Sequence, residues 1–308
     1  MKTKHTLAIH GGAGAIPPTI SEDQKKLYFE ALEKILSYGN NLLKKGETAL
    51  KVVELVVNKF EDCPLFNCGK GAVFTYDGGN SMDASIMDGK NRECGAVTGI
   101  KRIAHPISLA KDVMLNSKYV FLNGKGAEEF AKDLGYKFKN KKYFFTEKRY
   151  EQWKRVQGTD LTSLDHNAEF AAAPKGTVGA VALDIHGDLA AATSTGGMTN
   201  KKWDRIGDSP IIGAGTFADN ASCAISSTGE GEEFIKNVIA FDVHALIIYK
   251  GLSIKEASEH VIHKVLKKGI GGLVAVDKDG NYSLPYNTLG MYRGVATSKG
   301  VFEVKIWE

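Results

Sequence analysis

The stretch Gly176-Thr177-Val178-Gly179-Ala180-Val181-Ala182-Leu183-Asp184 constrains this chain more than any other. A Gly–Thr pair opens a run of small and branched apolar residues, Val178 to Leu183, with none of the polar alternation of a half-exposed strand. Such a run reads as a strand buried on both faces. Thr177 stands at its first position, where an unpartnered buried hydroxyl would cost roughly 1–3 kcal/mol. That hydroxyl is either satisfied locally or placed for chemistry. The reading adopted here is chemistry: Thr177 is a nucleophile that becomes active once the chain is cut between Gly176 and Thr177.

Threonine is a poor nucleophile at neutral pH and needs a base. A free α-amino group, with a pKa of about 7.7–8.0, is suited to that task. Cleavage before Thr177 puts this amine on the nucleophile itself, so no separate histidine is needed. The cut can use the same hydroxyl: attack on the Gly176 carbonyl gives an ester that water hydrolyses, and glycine tolerates the strained backbone this requires. The eight histidines are read as structural or surface residues. Glu259-His260-Val261-Ile262-His263 is not a zinc motif, because the acid precedes both histidines and their spacing is three.

Three later segments gather polar groups. Thr193-Ser194-Thr195-Gly196-Gly197 ends the second strand of a predicted hairpin, beside the start of the first strand and so near Thr177. Arg205-Ile206-Gly207-Asp208-Ser209-Pro210 offers an Arg for a carboxylate and an Asp for an ammonium, the two charges of an amino-acid head. Ser227-Thr228-Gly229-Glu230-Gly231-Glu232 ends a strand and opens a helix, where backbone N–H groups suit an oxyanion. Each has a plainer reading: a turn, a surface ion pair, a helix cap. Their succession within about 55 residues of Thr177 favours a site.

Along the chain, Thr6–Ile9 reads as a short strand running into a tight turn at His10-Gly11-Gly12-Ala13-Gly14; Pro17 stands where a dinucleotide fingerprint needs its third Gly. Ser21-Glu22-Asp23-Gln24 reads as a capping box for a helix to about Lys45, and a second helix covers Glu47 to Phe60. Strands are predicted at Ala72–Tyr76, Met82–Met87 and Ala96–Ile103, and helices at Ile107–Leu115 and Gly126–Leu134. A lysine-rich stretch from Gly135 ends in a linker, Asn167–Lys175, placed as a processing site requires. Beyond Thr177, strands are predicted at Val178–Asp184, Leu189–Thr193, Ala221–Ser226, Leu273–Asp277, Tyr282–Leu284, Val295–Ser298 and Val301–Trp307. Between them lie one long helix, Glu232 to Lys250, and another, Ser253 to Lys268. This order suggests helices outside two stacked sheets.

The 308 residues are 43% hydrophobic and 25% charged, with a net charge of +4, an ordinary globular balance without the patterned basic patch that nucleic acid requires. No stretch is apolar enough to span a bilayer, no signal-like N-terminus is seen, and the four cysteines form no C-x-x-C. The expectation is a cytoplasmic protein with reduced thiols.

The sequence resembles plant-type L-asparaginases with isoaspartyl peptidase activity, in the N-terminal nucleophile hydrolase superfamily. The resemblance is carried by Ile9–Gly14, Phe66-Asn67-Cys68-Gly69, Met82–Gly89, Gly176–Asp184, Thr193–Asn200, Arg205–Pro210 and Thr228–Glu232. It implies an α+β fold, a four-layer αββα sandwich over 1–308, cut into 1–176 and 177–308 and paired as a dimer of such pairs. It implies hydrolysis of L-asparagine and β-aspartyl peptides through an ester on Thr177, with no cofactor required for catalysis. By similarity Thr195 tunes the nucleophile, and Arg205 and Asp208, with Ile206 and Gly207 between them, take the substrate's carboxylate and ammonium. Thr228 and Gly229 stabilise the oxyanion, Glu230 and Gly231 complete the substrate loop, and Asn67 assists at the oxyanion or in processing. The Phe60–Lys70 loop resembles one that binds a structural sodium through backbone carbonyls.

Two departures bear on specificity. Lys202-Trp203-Asp204 stands where relatives usually carry a Gly before the Arg, adding a negative charge beside Arg205, and position 230 is Glu, which would disfavour acidic leaving groups. Two other readings are a glycosylasparaginase and a binding protein without turnover. The first usually has Asn where Gly196 stands and Asp where Glu232 stands.

Overall fold

The computed structural model describes residues 4–159 and 176–308; the linker read at 167–175 lies outside them. In chain order the elements are β1 (Thr6–Gly14), α1 (Glu22–Lys44), α2 (Ala49–Glu61), β2 (Met82–Asp88), β3 (Cys94–Ile100), α3 (Pro106–Asn116), β4 (Phe121–Asn123), α4 (Gly124–Asp133), α5 (Lys141–Phe144) and α6 (Glu147–Val156). After the linker come β5 (Val178–Leu183), β6 (Leu189–Thr195), β7 (Thr216–Ala218), β8 (Cys223–Gly229), α7 (Gly231–Lys236), α8 (Ile239–Lys250), α9 (Ile254–His260), β9 (Gly271–Asp277), β10 (Tyr282–Ser283), β11 (Gly290–Thr297) and β12 (Phe302–Lys305).

Among the described residues the strands form an eight-stranded sheet, β12-β11-β1-β5-β6-β2-β3-β4, and a four-stranded sheet, β10-β9-β8-β7. The two sheets touch through β1, β5, β6 and β2 on one side and β7, β8 and β9 on the other. α1, α2 and α3 pack on the large sheet, and α8 and α9 on the small one, an α+β arrangement. β5 is buried throughout, for a reason visible in its alternation. Val178, Ala180 and Ala182 join the core beneath the helices of the large sheet. Val181 and Leu183 join the core between the sheets. Full burial of one such aliphatic side chain stabilises by about 1.5–3 kcal/mol, so two cores grip the strand that follows Thr177.

Several sequence expectations change. β1 does not stop at Ile9 but runs to Gly14 through an irregularity between His10 and Gly12, so the expected tight turn is a bulged strand. Ser21 Oγ caps α1 by accepting from Gln24 N–H at 3.2 Å. Ala72–Tyr76 is not a strand: Val73 N–H is taken by the Asn67 side chain, Thr75 N–H by the Gly79 carbonyl and Tyr76 N–H by the Lys201 carbonyl, which leaves no ladder. The long helix from Glu232 is two helices. Val238 adopts left-handed φ 48° between them, and the N–H groups of Ala240 and Phe241 bond to the carbonyls of Ala214 and Gly213. The short strands β4 and β7 were not foreseen, and α9 ends at His260 in a π-helical turn, Val261–Val265.

Candidate active site

The β5–β6 hairpin sets the centre of the site. Val178 pairs with Ser194, so the end of β6 lies beside Thr177. Thr177 is 8% exposed. Its hydroxyl donates to Thr195 Oγ1 at 3.2 Å, and Ser209 Oγ lies 3.5 Å from the same oxygen. Neither neighbour is a base near neutral pH.

Gly176 lies against Asn67: a β-carbon on it would come within 2.7 Å of Asn67 Cβ and 3.0 Å of Asn67 N. The Asn67 amide is held at both ends, Nδ2 donating to the Gly197 carbonyl at 2.7 Å and Oδ1 accepting from Val73 N–H at 3.0 Å. Gly196 N–H also donates to the Asn67 carbonyl at 2.9 Å. Asn67 therefore ties the Phe60–Lys70 loop to the turn after Thr195. In that loop, backbone carbonyls crowd two glycines. A β-carbon on Gly69 would overlap the Glu61 carbonyl oxygen, and one on Gly71 would overlap that of Phe66 and lie 2.8 Å from that of Pro64.

Arg205 and Asp208 lie on the loop after β6. Asp208 is 3% exposed, and its Oδ2 has no hydrogen-bond partner among the described residues. Burial pushes its carboxyl up to about 7, against the pull of the Arg205 guanidinium. A buried carboxylate with an open oxygen suits an incoming ammonium. The turn Thr228–Glu232 packs against this loop: a β-carbon on Gly231 would lie 2.8 Å from Asp208 N and 2.9 Å from Arg205 Nη2. Thr228 is fully buried and its Oγ1 accepts from Ala13 N–H at 3.2 Å. Gly229 ends β8 and Glu230, half-buried, precedes α7. Gly207 lies beside the Arg205 guanidinium, and Ile206 is exposed.

The carboxylate that faces Arg205 is Glu232, not the expected Asp204. Glu232 takes Arg205 Nε and Nη2 at 2.7 and 2.6 Å, while Asp204 faces Lys101 at 3.8 Å. Trp203, with left-handed φ 55°, is almost wholly exposed.

The sequence matches the family described as asparaginase over residues 3–306. The chain belongs to the asparaginase family. It is 47% identical over 312 residues to the isoaspartyl peptidase of Escherichia coli (strain K12), covering 98% of this chain and 97% of that protein. It is 48% identical to the isoaspartyl peptidase of Salmonella typhimurium, covering 94% of each chain. It is 40% identical to the isoaspartyl peptidase/L-asparaginase of Rattus norvegicus, covering 92% of this chain and 84% of that one.

In this asparaginase-family chain, sequence reasoning missed His10. Its ring is fully buried beside Thr177, with Nδ1 3.0 Å from the Thr177 carbonyl and Nε2 2.8 Å from Ser226 Oγ. Ser209, inside the Arg205–Pro210 segment, carries no sequence signal of its own for its place 3.5 Å from Thr177 Oγ1. The segment Ile9–Gly14 did carry a signal, but local spacing does not show that β1 pairs with β5. No helix among the described residues is long and apolar enough to cross a membrane.

Proposed function

We propose that this chain is a self-processing amidohydrolase that cleaves L-asparagine and β-aspartyl peptides through an ester on Thr177. One observation carries the reading. The Thr177 hydroxyl, lined by Thr195 and Ser209, lies next to a loop whose Asp208 carboxylate is buried and open on one oxygen. The family and the names of the relatives support it.

Thr177 Oγ attacks the Gly176 carbonyl, and the C–N bond breaks to leave an ester and a free α-amine on Thr177. Water hydrolyses the ester, giving fragments 1–176 and 177–308. The amine then takes the Oγ proton as the hydroxyl attacks the side-chain carbonyl of the substrate. Thr228 and the Gly229 backbone stabilise the oxyanion, with Asn67 assisting there or during processing, and Thr195 orients the nucleophile. Arg205 holds the α-carboxylate through the guanidinium edge that Glu232 leaves, and Asp208 holds the α-ammonium. Ile206, Gly207, Glu230 and Gly231 shape the loops around them. The leaving amine, ammonia or a peptide amine, departs with the proton, and water releases L-aspartate.

The same reading includes the four-layer αββα sandwich, supported by helices packed on each sheet, and a dimer of cleaved pairs. It includes a structural sodium held by backbone carbonyls of the Phe60–Lys70 loop, outside the chemistry, and a cytoplasmic location. The test is intact mass with N-terminal sequencing. A fragment beginning Thr-Val-Gly-Ala is expected, and Thr177→Ala should stay one inactive chain of 33.4 kDa. Hydrolysis by Thr177→Ala at the wild-type rate refutes the mechanism.

A further inference from the structure

The two sheets enclose a polar row that the chemistry above does not use. In the large sheet His10 on β1 is in register with Gly179 on β5, Gly179 with Thr193 on β6, and Thr193 with Ser85 on β2. In the small sheet Ser226 on β8 pairs with Thr216 on β7. The side chains of His10, Ser85, Thr193, Thr216 and Ser226 are all fully buried, and they join across the gap between the sheets. Ser226 Oγ is 2.8 Å from His10 Nε2 and 2.7 Å from Thr193 Oγ1. Thr216 Oγ1 is 2.6 Å from Thr193 Oγ1, and Ser85 Oγ is 2.8 Å from Thr216 Oγ1 and 2.6 Å from the Ser209 carbonyl. Gly179 is the gap in the row that makes the crossing possible. A β-carbon there would overlap Ser226 Oγ and lie 2.5 Å from His10 Nε2.

One atom fixes which ring nitrogen carries the hydrogen. The Thr177 carbonyl can only accept, so His10 Nδ1 carries the proton. Nε2 is then a bare lone pair, and Ser226 must donate to it. With its proton committed, Ser226 accepts from Thr193, and Thr193 from Thr216, while at the far end Ser85 gives its one proton to the Ser209 carbonyl. Burial supports the neutral ring, holding the imidazole at about 3. A charged ring would donate from both nitrogens and turn Ser226 from donor to acceptor. The row starts at the Thr177 carbonyl and ends at the carbonyl of Ser209, whose own hydroxyl is 3.5 Å from Thr177 Oγ1.

We propose that His10 is a positioning residue for Thr177: its Nδ1–H, kept in that tautomer by Ser226 donating to Nε2, grips the Thr177 carbonyl and keeps the nucleophile aimed after the chain is cut. The inference rests on the function proposed above. Before cleavage Thr177 is held by chain on both sides. Afterwards it is a terminus, with amine and hydroxyl both turning about the bonds of its Cα. The β5 ladder begins only at Val178, so a grip on the Thr177 carbonyl adds to the hydroxyl's contact with Thr195 in limiting that turning.

The test compares His10→Asn, His10→Gln, Ser226→Ala and the His10→Asn/Ser226→Ala double variant, all as the cleaved enzyme, with Thr177→Ala as reference. Asn keeps an N–H where Nδ1 stands but gives up the link to Ser226; Gln reaches toward Ser226 and releases the carbonyl. His10→Gln should lose about 10²-fold in kcat, the scale of a misplacement of about an ångström. His10→Asn should keep kcat within about tenfold, and KM should stay within about twofold in both, because Arg205 and Asp208 are untouched. Ser226→Ala should lower kcat in the wild-type background and add nothing to His10→Asn, whose amide needs no tautomer. If His10→Gln remains uncut, the Ser226→Ala cycle alone decides. Equal kcat in Asn and Gln variants, a loss in KM instead of kcat, or additive losses in the cycle would overturn the proposal. Activity in Thr177→Ala would instead overturn the function on which it rests.

Discussion

Arg205 and Glu232 form a bidentate ion pair, Nε to Oε1 at 2.7 Å and Nη2 to Oε2 at 2.6 Å. Burial alone would raise the Glu232 carboxyl, but the Arg205 guanidinium outweighs it and holds the group below its ordinary value. The pair consumes one edge of the guanidinium; in the proposed function the other edge takes the substrate carboxylate.

Glu232→Ala should therefore loosen Arg205 without touching the reacting atoms. Steady-state kinetics on L-asparagine should show KM raised roughly tenfold and kcat changed by less than about threefold, the pattern of lost uniform binding. Arg205→Lys should raise KM further, because a point charge cannot satisfy both carboxylates in a fork geometry. A fall in kcat alone would place Arg205 elsewhere in the reaction.

Asp208 gives a pH signature. Its carboxyl, raised by burial to about 7, must lose its proton before it can hold an ammonium. In the free enzyme two groups then require deprotonation, Asp208 and the Thr177 amine at about 7.7–8.0. Once substrate is bound, its ammonium keeps Asp208 ionised. Below pH of about 7, log(kcat/KM) should fall with a limiting slope of two and log kcat with a slope of one. Equal slopes would mean that Asp208 does not meet the substrate's cation.

The parts of this site that were legible in the sequence are those whose geometry is local. The β5–β6 hairpin follows from two apolar runs and a turn, and it alone places Thr195 beside Thr177. Arg205 and Asp208 were legible because they lie close together on one loop. His10 was not, because its partners come from β5 and β8, which no local spacing connects to β1. Tertiary capture explains the other misses. Helix periodicity runs through Val238, yet carbonyls from Gly213 and Ala214 take the amides that would continue the helix. Ala72–Tyr76 has strand composition, yet the Asn67 side chain takes an N–H that a ladder would need.

His10 also predicts how stability depends on pH. Burial lowers its value from 6.5 to about 3, so the unfolded chain takes up a proton that the folded one refuses. A lowered value contributes stability in full above about 6.5, and that stability is lost as pH falls toward about 3, by up to about 1.4 kcal/mol per pH unit. Asp208 works the other way: its raised value stabilises below about 3.8, and that contribution is lost as pH rises to about 7. Urea unfolding in the uncut Thr177→Ala background separates them. The stability advantage of that parent over its His10→Asn derivative should shrink steadily from pH 6.5 downward. Against Asp208→Asn, the parent should lose ground from pH 4 to 7. A pH-independent difference in the first comparison would mean that His10 is not a buried neutral ring.

Gly176→Ala should separate self-cleavage from substrate turnover. The added β-carbon would stand 2.7 Å from Asn67 Cβ and 3.0 Å from its main-chain nitrogen, closer than carbon atoms approach without movement. Asn67 cannot yield cheaply, because both ends of its amide and its carbonyl are bonded to Gly197, Val73 and Gly196. In the proposed mechanism residue 176 carries the carbonyl that Thr177 Oγ attacks, so a shift forced on it by this clash should slow the cut. A time course on a denaturing gel should show the variant cutting itself at least tenfold more slowly than wild type, a cost expected for a misaligned attack. The fraction that does cut should hydrolyse L-asparagine with normal kcat per free N-terminal threonine, because residue 176 is no longer joined to the nucleophile. Processing at the wild-type rate would show that the bond is attacked from a geometry in which Gly176 does not lean on Asn67.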